Sequence, residues 1–397
     1  MYAWELGKRA RQRYAMREAI AYHEQALLSL GNLTGPRQEF IFDVLLDWVD
    51  AAFNFRPYGE QQGQLARAEE IARRLGDKPR LIRALHWTAN VLLAQGRWTQ
   101  AGAALTESLS LAQELGNEEL SVRPIYFKAL MTSFADPAEG LKWIELAEEL
   151  AHKHHDLPTE ALALATEAHV RAQLGEFDGA EQAIERARQI SNDLGSPLVA
   201  SDVDLFAAWT NLAMGNLERA LEFGQRSVEM AIATDNMDCI CSGLACIGYS
   251  NLELGRIAEA AAAFEKGIDR SDVSGAMIPK LNAQAGLAMT QFMSGDTEAV
   301  KGLEEAIVNM GLYQNHVGAA SANLMLGNCL MQLGELSRAS MCLDQAVDFY
   351  RQSRMYPFLA RALFSLAELR NRQGRAAEAE QCRVEAESFG SSLGKIQ

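Results

Sequence analysis

The residues of this chain with the most obvious capacity for chemistry are three cysteines, Cys239, Cys241 and Cys246, spaced Cys-x-Cys-x4-Cys. Thiolates at that spacing could contribute to a zinc site, but such sites pair one Cys-x2-4-Cys with a second ligand pair, and none follows here. Cysteine also serves as a small apolar side chain at close helix contacts, and that use is expected. His152, His154 and His155 flank Lys153 at the end of a helical stretch. Cationic side chains there complement the helix dipole, so capping is expected rather than metal binding. The tail Gly390-Ser391-Ser392-Leu393-Gly394-Lys395-Ile396 has the outline of a phosphate loop. It is one residue short between its glycines, lacks a hydroxyl after the lysine and follows no strand. Aspartate and glutamate are plentiful but lie on outer helix faces with no paired arrangement, so no general acid/base dyad is indicated. The expectation is a chain with no catalytic residue, no metal and no cofactor.

Composition limits the class further. Of 397 residues, 48% are apolar, enough to form a core and to exclude wholesale disorder. The net charge of −15 repels phosphate backbones, so direct nucleic-acid contact is not expected. No apolar run reaches the length of a membrane helix, and the N-terminus lacks the apolar core and small-residue cleavage site of a secretory signal. Six cysteines in a chain this long do not make a disulfide scaffold, and a reducing cytoplasm is the expected location.

The elements that must position any site repeat along the chain. Glycines recur at Gly175, Gly215, Gly255, Gly295, Gly334 and Gly374, in steps of 40, 40, 40, 39 and 40 residues. Gly96 lies two units earlier, with Asp136-Pro137 midway and Arg56-Pro57-Tyr58-Gly59 before it. Small residues recur five positions after the glycine (Ala101, Ala180, Ala220, Ala260, Ala339, Ala379) and seven before it (Ala89, Ala168, Ala208, Gly248, Ala288, Gly327, Ala367). Small side chains at fixed helical positions imply two closely approaching helices per unit, A and B, joined by the glycine turn. Leu75-Gly76, Leu115-Gly116, Leu194-Gly195 and Leu393-Gly394 read as ends of B helices, and Pro79, Pro197 and Pro357 suit the start of the next A helix. No segment alternates like a strand. The fold class expected is all-α, a right-handed superhelical solenoid of about ten antiparallel helix pairs spanning residues 1–397.

This pattern resembles the tetratricopeptide repeat. Leu6-Gly7, Ile247-Gly248 and Leu326-Gly327 look like that family's Leu-Gly pair, and Gln173 to Ala187 looks like its turn and second helix. The period of 40 exceeds the family's 34, which implies helices about a turn longer. The fourth unit departs at Asp136-Pro137-Ala138-Glu139-Gly140, and the second has Gln61 where alanine is usual. The long period is similar to the repeat domain of the bacterial maltose-operon activator and related signalling ATPases, and to repeats attached to some bacterial nucleotide cyclases. That resemblance implies a bacterial signalling or transcriptional regulator. The fold is a generic binding scaffold, so function must be argued from its surface. The first A helix starts short and uncapped, so an upstream domain of the same chain is expected and the solenoid would be one module of a longer protein.

In such a superhelix the A helices line the concave wall. The position six residues before each turn glycine then forms a ladder: Asp50, Asn90, His169, Trp209, Tyr249, Met289, Asn328 and Glu368. Phe206, Met293 and Met325 occupy neighbouring inner positions. Together they predict an aromatic and sulfur patch in units six to eight, suited to an apolar peptide, a helix or a small effector. These side chains could instead pack between neighbouring A helices. Asp47 and Asp50 predict an acidic wall in the second unit, whereas Arg361 and Arg372 add positive charge in the last. Lys8, Arg9, Arg11, Arg13 and Arg17 form a basic run, read as a solvated face or a dock for an upstream acidic domain. The expected activity is non-catalytic binding of a protein, peptide or effector; a self-associating scaffold, and hence a homo-oligomer, is the alternative. No membrane contact is expected. Arg83 and Asn90 alone are too few for a chaperone-type carboxylate clamp.

Overall fold

The computed structural model describes residues 2–13, 15–30, 38–53 and 55–389. They form ten helical hairpins in series. These are α1 (Tyr2–Gln12) with α2 (Met16–Leu30), α3 (Gln38–Ala52) with α4 (Tyr58–Leu75), α5 (Lys78–Ala94) with α6 (Trp98–Leu115), and α7 (Val122–Ala135) with α8 (Pro137–Lys153). Next come α9 (Leu157–Leu174) with α10 (Phe177–Leu194), α11 (Pro197–Ala213) with α12 (Leu217–Ala233), and α13 (Met237–Glu253) with α14 (Ile257–Ser274). The last three are α15 (Met277–Met293) with α16 (Val300–Leu312), α17 (His316–Gln332) with α18 (Leu336–Gln352), and α19 (Tyr356–Arg372) with α20 (Ala376–Ser388). Among the described residues there is no strand. The phosphate-loop-like tail and Leu393-Gly394 lie outside them.

The punctuation works as the repeat suggests. Gly175 ends α9 at φ 88° and Gly195 ends α10 at φ 61°, both left-handed caps whose N–H groups return to carbonyls of the last turn. Pro79, Pro197 and Pro357 sit in the first turns of α5, α11 and α19. Ala101, Ala180, Ala220, Ala260, Ala339 and Ala379 are completely buried, which lets the two helices of each hairpin approach. Phe264 shows how little room remains: a Cβ built on Gly248 would lie 2.4 Å from its ring, and one on Gly286 would lie 2.2 Å away.

Both departures from the repeat have structural substitutes. In the second hairpin the Gln61 side chain is fully buried. Its Nε2 donates to the carbonyls of Ala52 (3.2 Å), Phe53 (3.0 Å) and Arg56 (2.9 Å), closing the C-terminus of α3 where no glycine cap exists. In the fourth, Asp136 ends α7 and also caps α8, accepting from the Glu139 N–H at 3.1 Å with Pro137 following.

Hairpins stack through a succession of local apolar clusters rather than around one centre, as a quasi-one-dimensional fold requires. The stack also coils tightly enough to meet itself, each hairpin touching the one about five places on. Helix α7 packs against α17, and α9 against α19. The Tyr58 hydroxyl donates to Asp238 at 2.9 Å, and Arg17 pairs with Asp235 at 3.2 Å. Gly96 has no side chain where the Tyr313 ring lies, and a Cβ there would sit 2.2 Å from it. The concave wall expected from the sequence is therefore enclosed by a second turn of the same coil.

Coiling also changes the reading of the charged runs. Arg11 pairs with Asp50, Asp47 accepts from the Trp4 indole N–H at 2.6 Å, and Lys8 lies 3.9 Å over the Trp4 ring. The basic face of the first hairpin and the acidic wall of the second thus engage each other, and Arg17 reaches the sixth hairpin's exit loop. Arg9, Arg13 and Arg17 nevertheless remain exposed, as a solvated face requires, while Asp47 and Asp50 of the acidic wall are engaged within the fold. Arg361 meets Glu253 at 3.5 Å, and Arg372 bonds Glu368 and the Met331 carbonyl.

Candidate functional site

The A helices α5, α7, α9, α11, α13, α15, α17 and α19 surround a cavity of about 890 Å³. That is near the upper end of ordinary small-ligand sites, and its walls are largely aliphatic and aromatic. Of the ladder, Asn90, His169, Trp209, Tyr249, Met289 and Asn328 line it, and so do Phe206, Met293 and Met325. Leu130 fills the ladder position of the fourth unit. The two ends of the ladder stand apart: Asp50 is taken by Arg11 and Glu368 by Arg372.

The ladder residues both line the cavity and pack against one another. The His169 ring lies 6.3 Å from Phe206 and 6.4 Å from Trp209. Trp209 lies 6.2 Å from Tyr249, which meets Phe264 edge-on at 5.0 Å. Each polar handle crosses to the following A helix: Trp209 Nε1 donates to Ser242 Oγ at 3.1 Å, and the Tyr249 hydroxyl to the Asn282 carbonyl at 2.7 Å. Anchoring at both ends leaves Trp209 and Tyr249 half-buried with one face toward the cavity. Met289 receives the Cys329 thiol at 3.5 Å, whereas Met293 is 49% exposed and projects freely.

A second ladder went unread in the sequence. Two helical turns before the first, seven residues back, the successive A helices carry Asp202, Ser242, Asn282, Ser321 and Arg361, and all five line the cavity. The signal was present in the same register, because positions seven apart share a helix face. One further turn toward the N-terminus of α13, Asp238 also lines the cavity and accepts from Tyr58. The wall is therefore apolar along one line and polar along the next.

Burial sets the charge states. It pulls His169 down to about 4, so the ring is neutral near pH 7. Burial pushes Asp202 up to about 6, although Cys239 Sγ (2.8 Å) and Asn236 Nδ2 (3.2 Å) both donate to Oδ1. Asp238 is raised for the same reason, with the Tyr58 hydrogen bond acting in the opposite direction. The fixed charge of opposite sign is Arg361, held by Glu253.

The other chemical candidates disperse. Cys239 donates to Asp202, Cys241 faces Ser274, and Cys246 packs in the cluster of Val203 and Phe223. Burial raises all three thiols, Cys241 to about 11, which removes the thiolate that reactivity requires. His152 turns to Glu160 at 3.0 Å and His154 to Glu118 at 3.5 Å. No group of three His, Cys, Asp or Glu side chains converges among the described residues. No described helix is long and apolar enough to cross a membrane.

Comparison with known proteins follows the same lines. Residues 320–353, within the ninth hairpin, match the tetratricopeptide repeat family. No curated protein matches the chain in sequence. Among solved structures, a Rap protein complexed with competence and sporulation factor is similar over 100% of this chain and 99% of its own, at 14% identity and a TM-score of 0.61. The Rap conjugation gene regulator of plasmid pLS20, in complex with the Phr* peptide, is similar over 90% of this chain and 96% of its own, at 13% identity and a TM-score of 0.55. A signal transduction ATPase with numerous domains and a tetratricopeptide repeat sensor, from Pyrococcus horikoshii, gives 13% identity and a TM-score of 0.50 over 92% of this chain. The chain spans only 55% of that longer protein. At such identities the likeness concerns the fold. The chain is thus a helical-hairpin solenoid similar in fold to these tetratricopeptide-type structures, with a tetratricopeptide repeat matched at residues 320–353.

Proposed function

We propose that this chain is a non-catalytic receptor module of a regulator, and that it binds a peptide or an extended protein segment inside the coil. The observation that carries this reading is the convergence of seven ladder residues from successive A helices, α5 to α17, on one cavity, beside a parallel polar ladder. An extended chain needs both: apolar contacts for its side chains, and amide or hydroxyl partners for its backbone. Rap structures with bound peptide share the fold, which supports a peptide as the occupant.

Selection of linear peptides on the immobilised full chain, followed by calorimetry, tests the reading. Met293→Ala and Asn328→Ala remove cavity-facing groups that bear little of the packing. Each should weaken the selected peptide by about 1 kcal/mol or more, as hot-spot truncations do. Trp209→Ala and Tyr249→Ala should weaken it further. Unchanged affinity in all four variants would reject the cavity as the site.

A further inference from the structure

The loop between α12 and α13 is where the coil closes. Residues 235–239, running from that loop into the first turn of α13, face two ways. On the outer side, Asp235 takes Arg17 from the first hairpin at 3.2 Å, and Asp238 takes the Tyr58 hydroxyl from the second at 2.9 Å. On the inner side, Asn236 caps α13 by accepting the Cys239 N–H at 3.3 Å and donates to Ser201 Oγ (3.3 Å) and Asp202 Oδ1 (3.2 Å) on α11. Cys239 adds its thiol to Asp202. Asp202, Asp238 and Cys239 all line the cavity. Asp235 holds φ at 50°, the left-handed position that closes B helices along the repeat, as Gly195, Gly275, Gln314 and Arg354 do at the equivalent turns.

We propose that this loop is a clasp that holds the first turn of the coil onto the second, and that it couples the seam to the cavity. Tyr58 is its working part. The ring is 3% exposed, lies 5.7 Å from Phe53 and packs against Gly275, where an added Cβ would sit 3.7 Å from it, so the first two hairpins deliver it to Asp238 as a rigid peg. Arg17–Asp235 is exposed and solvent-screened, and contributes far less. Asp238 presents one carboxylate to both sides, so a group bound in the cavity that draws on it competes with Tyr58. Occupancy and closure of the seam are then reciprocally linked. The clasp itself stands whether or not the occupant is a peptide.

Hydrogen-exchange mass spectrometry on the full chain, without ligand, tests the clasp. Tyr58→Phe keeps the ring and removes the hydroxyl. Amides of α1 to α4 and of the first turns of α13 should exchange roughly five- to tenfold faster, the change in local opening that losing one buried hydrogen bond produces. Nile red, a neutral apolar probe, should enter the cavity faster by a similar factor. Asp238→Asn retains an acceptor for Tyr58 and should exchange within about twofold of the wild type, whereas Asp238→Ala should match Tyr58→Phe. Arg17→Ala should change exchange by less than about twofold. Tyr58→Phe exchange at wild-type rates in α1 to α4 would overturn the clasp. Accelerated exchange with unchanged Nile red uptake would overturn its coupling to the cavity. Neither outcome depends on the peptide measurements above, so the two readings fail separately.

Discussion

At the scale of single residues, the fold tolerates side-chain volume in some places and rejects it in others. Gly286→Ala drives a methyl group into the fully buried Phe264 ring and should destabilise the chain by about 1–3 kcal/mol, read as a lowered melting temperature. Gly63→Ala, on the exposed face of α4 with nothing within 4 Å of its Cβ, should stabilise by up to about 1 kcal/mol. Protonation gives a second handle. Burial lowers His86 to about 3 and His169 to about 4, against 6.5 in the unfolded chain. The unfolded state therefore takes up these protons first, and stability falls as the pH drops below about 6.5. Asp202 acts oppositely: raised to about 6 from 3.8, it stabilises the fold as the pH falls through that window. Between pH 7 and pH 5 the drop in melting temperature should be shallower for His169→Gln and steeper for Asp202→Asn. Trp209 and Tyr249 could be picked from the sequence because their ladder shares the register of the glycines. Asp202 shares that register seven residues back, but neither its burial nor that of Asp238 is legible, since an aspartate on a repeat helix looks like any solvated acid until the coil buries it.

At the scale of elements, the repeat makes the hairpins legible. Small residues in fixed positions and glycine at the turns are enough to specify two close helices, and the observed boundaries follow them. Legibility fails where another group takes over the glycine's task. Gln61 looks like a mismatch in sequence, yet it satisfies three carbonyls at the end of α3. Gln61→Ala should strip those partners and cost about 1–3 kcal/mol, with faster amide exchange confined at first to the second hairpin. Asp136→Ala should remove the cap of α8 at about 0.5–2 kcal/mol, located in the fourth hairpin by the same measurement. Because each hairpin touches mainly its neighbours, both lesions should stay local, and a uniform acceleration along the chain would contradict the solenoid picture.

At the scale of the whole molecule, the winding decides what the ladders can do. Its pitch is the sum of small rotations between successive hairpins, and no single residue encodes that sum. This is why the sequence suggests a curved wall but not its enclosure. Once the third hairpin meets the eighth, residues more than two hundred positions apart become neighbours and the aromatic and polar ladders face a common interior. Spin labels at Arg97 and Gln314, exposed positions beside the Gly96–Tyr313 contact, report on this directly. Five hairpins of an uncoiled stack, at about 10 Å per interhelical step, would separate the labels by on the order of 50 Å. Pulsed electron resonance should instead give one dominant distance under about 20 Å, two such steps. A distribution centred near the longer value would mean that the coil is open in solution, and the cavity between its turns with everything assigned to it would fall.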